Sequence, residues 1–448
     1  MLLRFDKYNL LNILTLFSFF IYSAVFIRYH YDGHHIGLQY SNALDLLNGK
    51  KPYKEIFIQY GILTTLIHSL ILKIFFNKIF FLNFFNIIFY LSSVIFISLT
   101  IYNFTKKQSY AFLATILILF NHPIPWLPWS NYLSFFFISI GLFLISNQNK
   151  NIFFIGLFLS LAILSRQDFA IGILSAGFIS FIFNFFSKNN LSFKSLFYLS
   201  TGFLIPIIIF FLYLLYLDVF EFWKSYLIIS KFYIEEYETS YSNLIWNYIK
   251  FFSLKSFFDF IITPQYFIIS IILIANSCIL ILKILDKVKI QSELFFIILL
   301  SSFLSSVSLK VELFRLYTSV IFGLIPLLYF ISNIKLVELR KNFILIVLLP
   351  SIFSFIFYPN GNNPSFNKID FKNSVIINEP QKFTYNLWPR KKVETINNIN
   401  NIINTCNVEY LENLTFDTLY STIGNLNRIR LLPYEKSSSR NSKLHYYY

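Results

Sequence analysis

Four polar stretches interrupt a chain that is otherwise apolar, and their residue types suit proton transfer and phosphate binding. The first is RYHYDGHHIGLQYSNALDLLNGKKPYKEIFIQYG, residues 28–61. The others are NHPIPWLPWSN (121–131), RQD (166–168) and KVELFR (310–315). Asp32 offers a carboxylate that can accept a proton from a reacting hydroxyl. Arg315 offers a guanidinium fork that matches phosphate oxygens, with Lys310 as a second cation. Glu312, three residues before Arg315, can orient it on a helix; the alternative is an arginine that snorkels to the interface. Arg166 and Asp168 lie between two apolar runs, where charges pair or serve a site, unless they only form a tight turn. His34 and His35 are adjacent, so they diverge on a helix, and no third ligand has clear spacing. No metal site is read from them; contact with an acceptor or phosphate, or plain exposure, remain their readings. His122, Trp126 and Trp129 could line a sugar, or form an ordinary interfacial belt. Lys50, Lys51 and Lys54 touch lipid phosphates or line a solvated loop.

These groups need positioning elements, and the composition says of what kind. Of 448 residues, 56% are hydrophobic and 13% charged, with 58 Phe. Apolar runs of membrane length recur, which excludes an ordinary soluble domain. The net charge of +15 fits basic cytoplasmic loops better than nucleic acid, so no nucleic-acid partner is expected. Glycine is scarce, so close small-residue packing is not expected to be the main glue between helices. Cys278 lies in an apolar run and Cys406 in a polar tail, so neither a disulfide nor a metal site is expected. The first run, with Arg4 and Lys7 before it and no small-residue cleavage site after it, is expected to be a retained helix.

The expected spans are 10–28, 80–104, 110–121, 131–147, 151–165, 169–187, 196–217, 264–284, 292–309, 316–332 and 342–358. The run 61–77 is the ambiguous one. If it crossed, the clusters around Lys106, Lys283 and Arg340 would face outward; if it lies in the interface, they join Arg4 and Lys7 inside. With His68 and Lys73 in the run, an interfacial helix is expected. The fold class is therefore an all-α polytopic membrane protein of about 11 transmembrane helices, plus interfacial helices, with a small extracytoplasmic α/β C-terminal region. It divides into a module over 1–217 with its first outer loop at 29–79, an outer loop 218–263, helices over 264–358 and a tail domain over 359–448. In the tail, apolar residues at 393, 396, 399, 402 and 403 predict a helix, and VEYLEN and RIRLLPY predict strands. The N-terminus is expected inside and the tail outside. All four polar stretches then fall on the outer face, which marks the working surface.

Within the first stretch, Ile36, Tyr40, Ala43, Leu44 and Leu47 recur at helical spacing, Gly49 stands at a C-terminal cap and Pro52 follows. The order Asp32, Ala43, Gly49-Lys50-Lys51-Pro52-Tyr53 and Tyr60-Gly61 resembles the first outer loop of the GT-C glycosyltransferases. These include protein O-mannosyltransferase-like, aminoarabinose transferase-like and oligosaccharyltransferase-like enzymes. The resemblance covers 1 to about 220 in layout and the first loop in motif. The chain departs from the pattern at Gly33 (often a second acid), at Ile62 (often proline) and at Asn131, where the second outer loop often carries an acid. The resemblance implies inverting transfer of a sugar from a polyprenyl-phosphate donor to a lipid, glycan or protein acceptor of the cell envelope. It places the chain in a bacterial inner (plasma) membrane and makes Asp32 the base. The expected substrate contacts are Arg315, Lys310, Glu312, Arg166, Asp168, His34, His35, Asn131, His122 and Tyr53. No cofactor is expected to be required; a divalent cation is the alternative, which Asn131 argues against. A lipid-linked oligosaccharide polymerase or ligase and a polytopic transporter or flippase are the rival readings. The transporter is disfavoured by spans with few internal charges and no repeat.

Overall fold

The computed structural model describes residues 6–29, 35–58, 60–122, 128–147, 151–186, 193–227, 264–285, 289–307, 313–357, 373–377 and 385–406. Long apolar runs can satisfy their own N–H and C=O groups only by helical bonding when no water is at hand. They form α1 (Lys7–Phe26), α4 (Phe80–Thr105), α5 (Gln108–Asn121), α6 (Ser130–Ser146), α7 (Ile152–Ser165), α8 (Phe169–Phe186) and α9 (Phe193–Tyr216). Later come α10 (Pro264–Ile284), α11 (Ser292–Val307), α12 (Leu313–Val320), α13 (Leu324–Asn333) and α14 (Val337–Phe357). Two short amphipathic helices, α2 (His35–Leu47) and α3 (Ile62–Ile74), fall between α1 and α4. Helix boundaries lie within a turn or so of the expected spans. Among the described residues, four helices, α1, α4, α9 and most of α14, are long and apolar enough to cross a membrane. The chain is thus a helical protein of membrane type.

Helix α4 is the centre of the bundle, packed against α1, α5 and α6, and 56% of its most apolar window is buried. By contrast α1, α9 and α14 bury 11–17% of theirs, so their apolar faces form a rim that suits lipid. Polar side chains bridge neighbouring helices inside: Ser98 to Thr115 at 2.7 Å, Asn121 to Ser351 at 2.8 Å, and Asn103 to Ser146 at 2.9 Å. Such bonds contribute roughly 0.6 kcal/mol each in an apolar medium. Glycine scarcity misleads at one interface. Gly156 of α7 lies against the Leu199 carbonyl of α9, and Gly202 of α9 against the Phe153 carbonyl of α7. A Cβ at either position would overlap those backbone atoms, so two glycines set this close approach.

The run expected as one span over 316–332 is interrupted. Between α12 and α13 the chain makes a 3₁₀ turn, Ile321–Gly323. The Asn276 amide packs on Gly323, and a Cβ there would come within 2.6 Å of Ile272 and 2.9 Å of Ser301. Ser301 Oγ donates to the Val320 carbonyl at 2.9 Å, which ties the break to α11.

Contacts sort the loops to two ends. Helix α3 starts where Gly61 N–H donates to Ser165 O (3.1 Å) and Thr64 Oγ1 to the same carbonyl (3.0 Å), at the end of α7. It finishes beside the start of α4, where Tyr40 of α2 donates to Asn77 O at 2.7 Å. Both ends of α3 therefore lie at one end of the bundle. With 13 residues it is only about 20 Å long, and it lies across that end. His68, expected as an interfacial polar residue, is instead buried, 5% exposed; Lys73 is the residue that stays exposed.

The tail joins the same end. Strands β1 (Ser374–Ile376) and β2 (Leu387–Pro389) pair antiparallel, with Val375 opposite Trp388, and lead into α15 (Arg390–Cys406). Leu387 N–H donates to Arg28 O (2.6 Å) and Arg28 Nε to Tyr385 O (2.9 Å). The Tyr385 ring lies 5.8 Å from Phe80 and 4.8 Å from Lys78 Nζ. The expected tail helix forms with Val393 and Ile396 buried, but Ile402 is 57% exposed because only the first turns meet the hairpin. The two strands at 374–389 were not legible as such; the expected strands VEYLEN and RIRLLPY lie outside the described residues.

Candidate functional site

The end that carries α2, α3 and the tail also gathers the polar stretches. Helix α2 ends as its spacing predicts. Gly49 has φ +83°, and Asn48, Gly49 and Lys50 N–H groups close on Leu44, Leu46 and Asp45 carbonyls. Ile36, Tyr40, Ala43 and Leu44 form its buried face. The turn that follows is held by Asn42 Nδ2 to Phe57 O (2.7 Å), by Lys51 N–H to Glu55 Oε2 (2.6 Å) and by a Lys50–Asp45 pair at 3.1 Å.

Tyr53, expected as a substrate contact, is an anchor for this turn. It is 1% exposed, has φ +63°, and packs on Tyr226 at 5.8 Å in a satellite core with Phe57, Ile62, Leu214 and Val219. Pro52 sets the turn and the ring fills the gap beside α9 and the helical segment 220–227. Burial raises the Tyr53 hydroxyl pKa above the usual phenol range. It is a neutral structural group.

Arg166 and Asp168 do pair. Arg166 Nε and Nη2 donate to both Asp168 oxygens at 2.6–3.0 Å. Arg166 is 2% exposed and Asp168 27%, so the fork is buried while the carboxylate reaches the surface. The guanidinium lies 5.4 Å from the Tyr60 ring and 5.0 Å from Phe169. Gln167 Nε2 donates to Tyr60 O, and the Tyr60 ring meets Trp129 at 5.8 Å. Gly61 is required here, because a Cβ would overlap the Leu164 and Ser165 backbone. The Tyr60-Gly61 end of the first stretch is thus clamped to the third stretch and touches the second.

His122 is 3% exposed, and its Nε2 shares a 2.5 Å hydrogen bond with Tyr132 OH. Tyr132, Tyr90 and Tyr317 surround the ring, with centroids 5.7, 5.5 and 5.1 Å away. Tyr90 OH donates to His122 O (2.6 Å) and Tyr317 OH to Ile118 O (2.5 Å). This enclosed ring pins α4, α5, α6 and α12 together and offers no open face to a sugar. Burial lowers the His122 pKa to about 3 and that of His68 to about 4.

Asn131 is fully buried and donates from Nδ2 to Thr318 Oγ1 of α12 at 3.2 Å. Arg315 lies in the first turn of that helix rather than before it. His35 opens α2. Asp32, His34, Lys310 and Glu312 lie outside the described residues. Among the described residues no three His, Cys, Asp or Glu side chains cluster as a metal site would need. Sequence reasoning missed Tyr90, Tyr132, Tyr317 and Thr318. Each sits in an apolar run, or beside one, as a lone polar tip, and only the three-dimensional meeting of helices gives it a partner.

The opposite end differs. There Lys107 Nζ donates to Ser332 O at 2.9 Å, and Lys341 pairs with Glu338 at 3.0 Å with both largely exposed. No protein-family model matches the chain, and neither a curated protein nor a solved structure matches it significantly.

Proposed function

We propose that the chain is a polytopic membrane glycosyltransferase of GT-C type. It moves a sugar from a polyprenyl-phosphate donor to a lipid, glycan or protein acceptor on the extracytoplasmic face of a bacterial inner membrane. The observation that carries this reading is the gathering of the Tyr60-Gly61 clasp, the Arg166–Asp168 pair, Asn131 and the start of α12 at one end of the bundle. The GT-C-like motif order in residues 32–61 supplies the chemistry.

In the proposed reaction the acceptor oxygen attacks the anomeric carbon as the carbon–phosphate oxygen bond breaks. The bonding electrons leave with the phosphate, and the acceptor proton passes to the Asp32 carboxylate. In-line displacement inverts the anomeric centre. A phosphate leaving group needs no general acid, but its growing charge needs cations, a role this reading assigns to Arg315 with Lys310. The Arg166–Asp168 pair has a positioning role in this scheme, since it fixes the end of the first stretch. No cofactor is invoked. The test is Asp32→Asn in membranes. Transfer should fall by about 10²–10⁴-fold, the usual contribution of a general base, with expression and melting unchanged. Unaltered transfer would remove the catalytic assignment.

One observation favours a second reading, a transporter or flippase: the α12–α13 break, where buried Asn276 meets Gly323. Transporters place polar groups at interrupted helices. Turnover of a labelled donor by purified protein, with no lipid movement between leaflets, would exclude it.

A further inference from the structure

The segment between α1 and α4, which carries α2 and α3, begins at Arg28 and runs into α4 just after Lys78. One tail residue holds both of these ends. The Tyr385 carbonyl accepts a hydrogen bond from Arg28 Nε at 2.9 Å. The Tyr385 ring lies 4.8 Å from Lys78 Nζ, a cation–π distance, and meets Phe80 and Phe81 of α4 at 5.8 and 6.1 Å. Its backbone is strained in doing so. Tyr385 has φ +80°, a left-handed conformation that residues with side chains rarely adopt and that persists only where the surroundings over-determine it.

A second tie lies beside the first. Carbonyls at a helix C-terminus lack intrahelical donors; that of Arg28, two residues past α1, takes the Leu387 N–H at 2.6 Å. Behind these bonds, Ile377, Trp388, Val393 and Ile396 of the tail belong to the same contiguous apolar cluster as Ile27, Ile36, Tyr40 and Leu44. Tyr40 in turn donates to Asn77 O, one residue before Lys78. The turn between α3 and α4 is itself strained, with φ +53° at Phe76 and +60° at Asn77. Such a turn needs outside ties, and Tyr40 and Tyr385 supply them. A tail docked only for its own stability would need no more than the apolar cluster. Its polar ties go instead to the two ends of one segment.

We infer that the tail hairpin is a brace for the segment between α1 and α4, and that Tyr385, acting through Arg28 and Lys78, is a positioning residue for the groups this segment carries. The inference rests on the glycosyltransferase reading only for what is positioned: Asp32, four residues after Arg28 in the sequence.

Amide hydrogen exchange of the full chain in nanodiscs reads the brace without any substrate, because it reports local opening. In Tyr385→Ala the amides of residues 35–58 should exchange at least tenfold faster, with those of α6 and α7 at wild-type rates. Tyr385→Phe keeps the ring and the carbonyl and should restore wild-type exchange. Faster exchange in the tail alone, or equally in α6 and α7, overturns the brace. If Tyr385→Ala does not fold, Arg28→Met decides. It removes the Nε donor and should speed exchange over 35–58 about threefold; wild-type exchange there overturns the brace. With a polyprenyl-phosphate sugar as donor, Tyr385→Ala should lower kcat by about 10–100-fold, as a misplaced reacting group does, with KM within about twofold of wild type. Wild-type kcat in a variant whose 35–58 amides have loosened overturns the positioning role. If exchange changes as expected but no polyprenyl-phosphate sugar is ever consumed, the brace stands and the enzyme reading falls. If sugar is transferred and Tyr385→Ala leaves exchange over 35–58 unchanged, the enzyme reading stands and the brace falls.

Discussion

The two ends of the helical bundle are built from different materials. At one, a buried arginine, a buried histidine, a clasped glycine and a docked tail hairpin interlock through side chains drawn from several helices. At the other, connectors and helix ends carry lysines that stay near the surface, such as Lys107 and Lys341. Interlocking of the first kind costs conformational entropy and leaves polar groups desolvated, so it persists where geometry must be held. The second kind needs only charge, which suffices to orient a chain in a membrane.

The comparison is sharpest if equal changes at the two ends have unequal effects. Arg315→Ala should raise the KM for a polyprenyl-phosphate sugar by about 10–100-fold, as expected for a charge-assisted bond of roughly 1.5–3 kcal/mol. Arg340→Ala at the other end should leave it unchanged. Steady-state kinetics across donor concentrations decides between them.

Next in size is the clasp. Gly61→Val forces a side chain into the Leu164–Ser165 backbone and should lower stability by about 1–3 kcal/mol, as overpacking does. Removing the guanidinium in Arg166→Leu should cost a similar 1–3 kcal/mol, less than a wholly buried pair because Asp168 is partly solvated. Thermal melts of the detergent-solubilised chain measure both.

Acid should loosen the interlocked end. Burial holds His122 and His68 at about 3 and 4, below the ordinary value near ~6.5. Between those limits the unfolded chain binds protons that the folded chain refuses. Stability is therefore full above the unfolded value and falls as pH drops from about 6.5 toward 4, by up to about 1.4 kcal/mol per pH unit for each histidine. Melting temperatures across this window should show a shallower slope in His68→Gln. An unchanged slope would mean that His68 takes up its proton in the folded state.

The smallest effect belongs to the basic end. Lys341→Gln breaks an exposed pair with Glu338 and should change the melting temperature little, since exposed pairs contribute about 0–1 kcal/mol.

Much of this frame is legible in the sequence, because helix ends follow apolar length, Gly49 and the proline after α5. The tail helix is legible from its periodicity. What the sequence hides depends on contacts between distant segments. Nothing local marks Gly156 and Gly202 as a close-packing pair, or Gly323 as the partner of Asn276. Tyr53 reads as a site residue because its motif neighbours are polar, yet its ring is needed to fill a gap beside α9. His122 reads as a loop residue, yet three tyrosines from three helices enclose it. Pairing of Arg166 with Asp168 is legible from their isolation among apolar residues; their stacking on Tyr60 is not.

The most direct test of the central claim uses purified chain in nanodiscs with a panel of labelled polyprenyl-phosphate sugars and extracted envelope acceptors. Release of polyprenyl phosphate matched by label on an acceptor, with inverted anomeric configuration, is the predicted result. If the folded chain consumes none of these donors, or transfers with retention, the polar end is not the reaction surface described here.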